Sequence, residues 1–88
     1  WRLTGMPATV HALADRGFLR EGAWADILVL DRQRLRAGHA RLARDFPADT
    51  ERYVIDAGGY RAVIVHGQPL LEDGKPTGAL PGQLLRGS

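Results

Sequence analysis

The sequence predicts a mainly β domain with a single N-terminal helix. Three observations carry that prediction. Ala25–Asp31 has an unbroken apolar centre, Ile27-Leu28-Val29-Leu30, closed at each end by aspartate. Tyr60–Val65 is rich in β-branched and aromatic residues, and His66-Gly67 separates it from a second short apolar run, Gln68–Glu72. Helical spacing of apolar residues is confined to the first fifteen positions, where Met6, Val10 and Leu13 fall on one stripe.

Taken in order, the helix is expected over Thr4–Asp15. Thr4 is the N-cap, Pro7 sits in the first turn where its missing N–H does no harm, and Arg16-Gly17 is the stop. Phe18–Trp24 is too short and too glycine-broken for another helix and leads into the strand Ala25–Asp31. That strand's continuous apolar centre predicts burial on both faces. Arg32–Asp49 is polar and arginine-rich, with Leu35, Leu42 and Phe46 as its large apolar residues. It reads as a surface excursion holding at most one helical turn, closed by Pro47. Glu51–Asp56 is a further strand, broken by Gly58-Gly59. Pro69 places the Gln68–Glu72 strand at a sheet edge, because proline cannot donate to a ladder. Asp73-Gly74 turns again, and Lys75–Ser88 is an extended tail anchored by Leu84-Leu85.

Eighty-eight residues make one domain at most, near the lower limit for unaided folding. The apolar fraction of 44% and charged fraction of 25% exclude a disordered tail. Cysteine is absent, which excludes a disulfide framework and thiolate chemistry and points to a cytoplasmic setting. No apolar run approaches the roughly 18 residues of a membrane span. The chain opens on Trp1 and its one methionine is Met6, so a piece of a longer protein is expected. Eleven of the twelve basic residues are arginine, but the net charge is only +2 because acids are interleaved.

The chemistry-bearing residues suggest no active site. His11, His39 and His66 lack the i, i+4 spacing of a helical metal site and form no His-x-His. Asp26 and Asp31 bracket a strand, where Asp26 is expected to accept backbone hydrogen bonds at the entrance and Asp31 to end the strand, and Glu72-Asp73 lies in a turn. Glycines form neither a dinucleotide fingerprint nor a Walker loop, and Ser88 is the sole serine. The cluster Arg32, Arg34, Arg36, Arg41 and Arg44 has flanking acids and little aromatic interleaving, so a solvated face is expected, with no nucleic-acid partner. Catalytic, cofactor-binding and metal-binding residues are therefore expected to be none in this chain.

Three stretches together carry a resemblance. Thr4-Gly5-Met6-Pro7-Ala8, leading to Arg16-Gly17, is similar to the helix after the last barrel strand of amidohydrolase-superfamily enzymes. Leu19–Asp31 resembles their I-x-x-G-x-x-A-D-hydrophobic-Asp strand. Val63–Gln68, Asp73-Gly74 and the Thr77-Gly78-Ala79-Leu80-Pro81-Gly82-Gln83-Leu84-Leu85-Arg86 ending resemble the C-terminus of N-acyl-D-amino-acid deacylases, the D-aminoacylases. His66 stands where asparagine is usual, and Arg41–Tyr60 departs from the D-aminoacylase form.

The resemblance implies a hydrolase acting on non-peptide C–N bonds, built on a (β/α)₈ barrel with zinc or another divalent metal. The residues acting on metal and substrate would precede Trp1, so none is carried onto this chain. Residues 1–17 would be the last barrel-associated helix. Residues 18–88 would be the C-terminal half of a composite β-sandwich, with the extended tail, flanking the barrel. The expected partners are the remainder of the parent enzyme and, through strand edges, a second copy. The alternative is a stand-alone β interaction module using the Gln68–Leu71 edge. No membrane partner is expected.

Overall fold

A computed structural model describes residues 1–86. Its elements are helix α1 (Gly5–Val10), strand β1 (Ile27–Leu30), β2 (Arg36–Phe46), a 3₁₀ turn (Pro47–Asp49), β3 (Thr50–Gly58), β4 (Tyr60–Val65), β5 (Gln68–Glu72) and β6 (Lys75–Pro76). They form a four-stranded antiparallel sheet in the order β1-β4-β5-β6 and a separate two-stranded sheet, β2-β3. The expected mainly β class with an N-terminal helix is observed. Gly87 and Ser88, the end of the expected tail, lie outside the described residues.

Helix α1 stops at Val10, five residues before the expected Asp15. Ala12 takes a left-handed φ of 56°, its N–H donates to the Thr9 carbonyl, and the Leu13 N–H donates to the Ala8 carbonyl at 2.8 Å. That is a Schellman ending with alanine where glycine is the usual signal, so nothing in the residue types marked it. Thr4 occupies the N-cap position, but its side chain makes no capping hydrogen bond. The Trp1 carbonyl accepts from the Thr4 and Met6 amides instead. Gly17 does not end the helix. It lets the returning loop cross it: with φ +84°, a Cβ there would stand 2.5 Å from the Ala8 Cβ and 2.7 Å from the Thr4 carbonyl oxygen. The Trp1 ring lies over Gly5 and meets Phe18 at 6.0 Å between centroids. This knot holds the one buried hydrophobic side chain among the described residues, Ala8, at 4% exposure.

In the larger sheet, Leu28 pairs with Val63 and Val63 with Leu71, while Val29 pairs with Ala62 and Ala62 with Glu72. Consecutive strand residues point to opposite faces, so Leu28 and Val29 report on the two sides of β1. Both are open, at 55% and 42% exposure. The expected burial of this strand on both faces is therefore not met by the described residues. The β4–β5 connection is the two-residue turn read from His66-Gly67, with φ of 54° and 77°. Asp73-Gly74 repeats that geometry before β6. The Gln68–Leu71 edge, expected to be open, is partly occupied. The Thr77 N–H donates to the Leu70 carbonyl, and its hydroxyl to the Pro69 carbonyl at 2.6 Å. Among the described residues β1 pairs with β4 alone, so its outer edge is free, as is that of the two-residue β6 at the other end of the sheet. In the tail, Leu84 is 80% exposed, while Leu85, 47% exposed, lines a shallow groove with Ala12–Arg16, so half of the expected anchor makes contact.

The largest departure is Arg32–Asp49, expected as a polar excursion. Most of it is β2, paired with β3 from Arg36↔Gly58 to Phe46↔Thr50 around the 3₁₀ turn. Its polarity belongs to a hairpin whose arginines pair with acids. Gly59 ends the hairpin and starts the main sheet. Its φ is +93°, and a Cβ would meet the Leu35 Cα at 2.5 Å, so the chain closes on itself only through glycine.

The fold leaves much surface open. The accessible area is 7607 Å², whereas a folded monomer of this mass exposes about 5,100 Å². The radius of gyration is 15.6 Å, against about 12 Å for a packed domain of this length. The isolated 88-residue chain is thus expected to self-associate or to melt without a sharp transition, and to bind an apolar dye. Analytical ultracentrifugation with calorimetry checks this, and a monomer with one cooperative transition contradicts it. In the full-length protein, Gly59→Ala is expected to destabilise by about 1–3 kcal/mol, read from chemical denaturation.

Candidate functional site

The most connected polar cluster lies where β1 begins. Asp26 precedes the strand, and one of its carboxylate oxygens accepts the His66 N–H at 2.8 Å from forty residues away. The other stands 3.8 Å from Nε of Arg16, whose side chain is only 14% exposed. The guanidinium lies 5.7 Å from the centre of the Trp24 ring, and Trp24 stacks on the His66 imidazole at 3.9 Å and 25°. The Gly67 N–H donates to the Ala25 carbonyl, completing the tie between the β1 entrance and the β4–β5 turn. Asp26 therefore does what its position suggested, accepting a backbone hydrogen bond at the strand entrance, but from a distant turn.

Asp31 closes the same strand. Its carboxylate accepts the Gln33 N–H at 3.1 Å and the Arg61 guanidinium at 3.2 Å, with Arg34 at 3.7 Å. Desolvation pushes the Asp31 carboxyl up, but the Arg61 hydrogen bond, the Gln33 amide and the nearby arginine charges outweigh it and hold the group below its ordinary value. Both aspartates thus fasten loops to strand ends.

The expected arginine cluster is not one stripe. Arg34 turns to Asp31, Arg41 donates to Asp56 at 2.9 Å, and Arg44 pairs with Asp49 and Glu51. Arg52 returns the pattern from β3, donating to Asp45 at 2.6 Å. These pairs cross the β2–β3 hairpin. Hydrogen bonds from Arg52 and Arg41 hold the Asp45 and Asp56 carboxyls below their usual values, and both arginines are raised in return. Leu42 pairs with Tyr53 and Ala40 with Ile55 on the face that also carries Glu51, and Leu42, Tyr53 and Ile55 are exposed.

The histidines stay apart. His11 is the C-cap of α1, His39 lies on β2, and His66 is in the β4–β5 turn. Among the described residues, no three side chains of histidine, aspartate or glutamate gather to hold a metal ion. The residues here therefore do not fit a metal centre. The remaining feature is an open apolar groove of about 360 Å³ between α1 and the β1–β4 pair. Reading the sequence missed it, and with it the role of Arg16, which looked like a helix stop. The ion pairs had a signal that was passed over: arginine and acid are mirrored about Pro47–Asp49.

Comparison with known proteins bears on this arrangement. Residues 1–71 match the amidohydrolase family, and the chain belongs to that family. It is 34% identical over 85 residues to an N-acyl-D-glutamate deacylase and 33% identical over 85 residues to a D-aminoacylase, both from Alcaligenes xylosoxydans xylosoxydans. Each alignment covers 97% of this chain but only 15% and 16% of the respective relative. No solved structure matches the chain.

Two outcomes test the site. In the full-length protein, Asp26→Ala is expected to cost about 1 kcal/mol by leaving the His66 amide without its acceptor. Asp26→Asn, which keeps an oxygen there, should cost less, as read from denaturation midpoints. The second concerns the hairpin. The folded-state carboxyls of Asp45 and Asp56 are depressed, so their contribution is present above the unfolded value of about 3.9 and is lost as pH falls through the lower folded values. Carboxyl NMR titration of both, with high salt weakening the depression, checks the sign.

Proposed function

We propose that this chain is the non-catalytic C-terminal structural segment of a metal-dependent amidohydrolase that hydrolyses the amide bond of N-acyl-D-amino acids or related amides. Residues 1–17 would be the last barrel-associated element, and residues 18–88 the C-terminal half of a composite β-sandwich completed by strands from elsewhere in the same polypeptide. The divalent metal, expected to be zinc, and the groups that act on substrate would belong to the remainder of the enzyme, in the cytoplasm. The observation that carries this reading is the four-stranded sheet. Its β1 is apolar on both faces, exposed on both at Leu28 and Val29, and unpaired at one edge. A β-strand in that state wants a layer on each side and a neighbour. The segment shared with the two curated relatives is 15% and 16% of their respective lengths.

The stand-alone interaction module is less well supported, because Thr77 already bonds along the edge that it would use. A homodimer through the free β1 edge competes for the same surface that a sandwich would cover.

The test is the intact mass, metal content and activity of the natural polypeptide. A chain several times longer than 9.6 kDa, holding a divalent metal and releasing amino acid from N-acyl-D-amino acids, is expected. A metal-free natural product of this mass overturns the reading.

A further inference from the structure

The hairpin of β2 and β3 has two outer edges, and they are built differently. Among the described residues each of its strands bonds only to the other, so each presents free N–H and C=O groups along its outer side. The register shifts twice along the pair, and both times β2 carries two residues against one: Gly38 and His39 against Asp56, then Arg44 and Asp45 against Glu51. Those bulges interrupt the β2 edge. Strand β3 runs through its 9 residues without one. It also holds neither proline nor lysine, two usual guards of an open edge.

On that uninterrupted edge, Arg52-Tyr53-Val54-Ile55-Asp56 complements its own reversal. An antiparallel copy related by a two-fold axis at Val54 sets Val54 opposite Val54, Tyr53 opposite Ile55 and Arg52 opposite Asp56. Opposite charges, and an aromatic facing a β-branched residue, are favourable directly across a ladder. The neighbouring registers are not. An axis at Tyr53 sets Arg52 on Val54 and Glu51 on Ile55, and an axis at Ile55 sets Asp56 on Val54. Moving one residue further either way stacks Arg52 on Arg52 or Asp56 on Asp56, which repel. The charges that discourage other pairings on this edge therefore favour one register. The groups are available: Arg52, Tyr53, Ile55 and Asp56 are exposed. Arg52 gives Nε and Nη2 to Asp45, and Asp56 accepts from Arg41. A guanidinium has five donors and a carboxylate about four acceptor sites, so both have capacity for a further partner.

We infer that the outer edge of β3 is a self-association site, where two copies of this chain pair antiparallel about Val54 and join their hairpins into one four-stranded sheet, β2-β3-β3-β2. Self-complementarity selects the occupant. A different partner requires no reversed match within β3, whereas a two-fold contact of like with like does. In the dimer, Asp45, Arg52 and the other copy's Asp56 and Arg41 alternate in sign across the sheet, twice by symmetry. The inference goes beyond the proposed enzyme and does not rest on it, because neither metal nor amide hydrolysis enters the argument.

The experiment compares Val54→Cys with Thr50→Cys in the full-length protein. In the inferred register residue 54 meets itself, within disulfide reach, while the two copies of residue 50 stand roughly 26 Å apart along the strand. Mild oxidation of Val54→Cys is expected to give a covalent dimer with a 54–54 disulfide, identified by peptide mass, in at least about tenfold higher yield than the 50–50 link of Thr50→Cys. No 54–54 link, or equal yields, overturns the inference. Sedimentation equilibrium then reads the charges. Arg52→Asp and Asp56→Arg each oppose like charges and are expected to weaken dimerisation at least about tenfold. An equimolar mixture of the two restores opposite charges at both crossings and is expected to recover the dimer, which also shows that neither substitution acts by unfolding the hairpin. Single variants that dimerise like the unsubstituted protein, or a mixture that stays monomeric, overturn the register. Failure of the enzyme reading is separately visible: a protein without metal or amidase activity would still form the 54–54 link.

Discussion

The fold depends first on the hydrogen bond between the Asp26 carboxylate and the His66 amide. It joins the strand entrance to a turn forty residues later. Through Arg16 the same carboxylate reaches the loop that crosses α1, and through Trp24 and His66 an aromatic pair fills the space beside it. Break that contact and the first strand and the β4–β5 turn keep the β1–β4 ladder, the Gly67 amide and the Trp24–His66 stack between them, while the loop that crosses α1 keeps the Trp24 N–H on the Asp15 carbonyl and the Arg16–Trp24 contact. A polar contact takes this central place because so little is buried: with Ala8 as the one buried hydrophobic residue among those described, the usual apolar cohesion is missing.

That shortage gives the family assignment its physical sense. An amidohydrolase segment covering about a seventh of its relatives' length has no reason to carry a closed core of its own. On the proposed reading, surfaces from elsewhere in the enzyme would cover the apolar rows on both sides of β1 and the groove beside α1. The aspartates of the Ala-Asp-apolar-Asp stretch have a positional role in this frame. They pin the loops at either end of β1 and leave the strand itself to pairing and packing.

Much of the main sheet was legible. β4, β5 and the His66-Gly67 turn lie where alternation and β-branching put them, because their signals are local. His66 accepts a left-handed φ that asparagine also tolerates. The helix end was not legible, because Ala12 adopts the conformation that normally advertises itself as glycine. β2 was hidden by composition: arginines and alanines read as a solvated loop until Arg41, Arg44 and Asp45 are set opposite Asp56, Glu51 and Arg52. That correspondence is non-local, and strand propensity does not see it. The Arg16 contact was illegible for a deeper reason. Its terminal nitrogen Nη1, buried and without a hydrogen-bond partner among the described residues, is enclosed only once Trp24 and the crossing loop are in place.

The hairpin of β2 and β3 has an evolutionary arithmetic of its own. Among the described residues it is hydrogen-bonded to no other strand, and it is anchored through Gly59 at its base. Residues removed or added in matched pairs on the two arms keep every side chain on its own face, while the sheet beyond Gly59 is untouched. A single-residue change on one arm turns over the stretch beyond it unless a further bulge takes it up, as the register shifts between Ala37 and Ala40 and between Ala43 and Phe46 already do. Length variation among homologous chains should therefore concentrate in this arm and come in even steps, making it the part of the segment freest to diverge while the strands around Asp26 stay put.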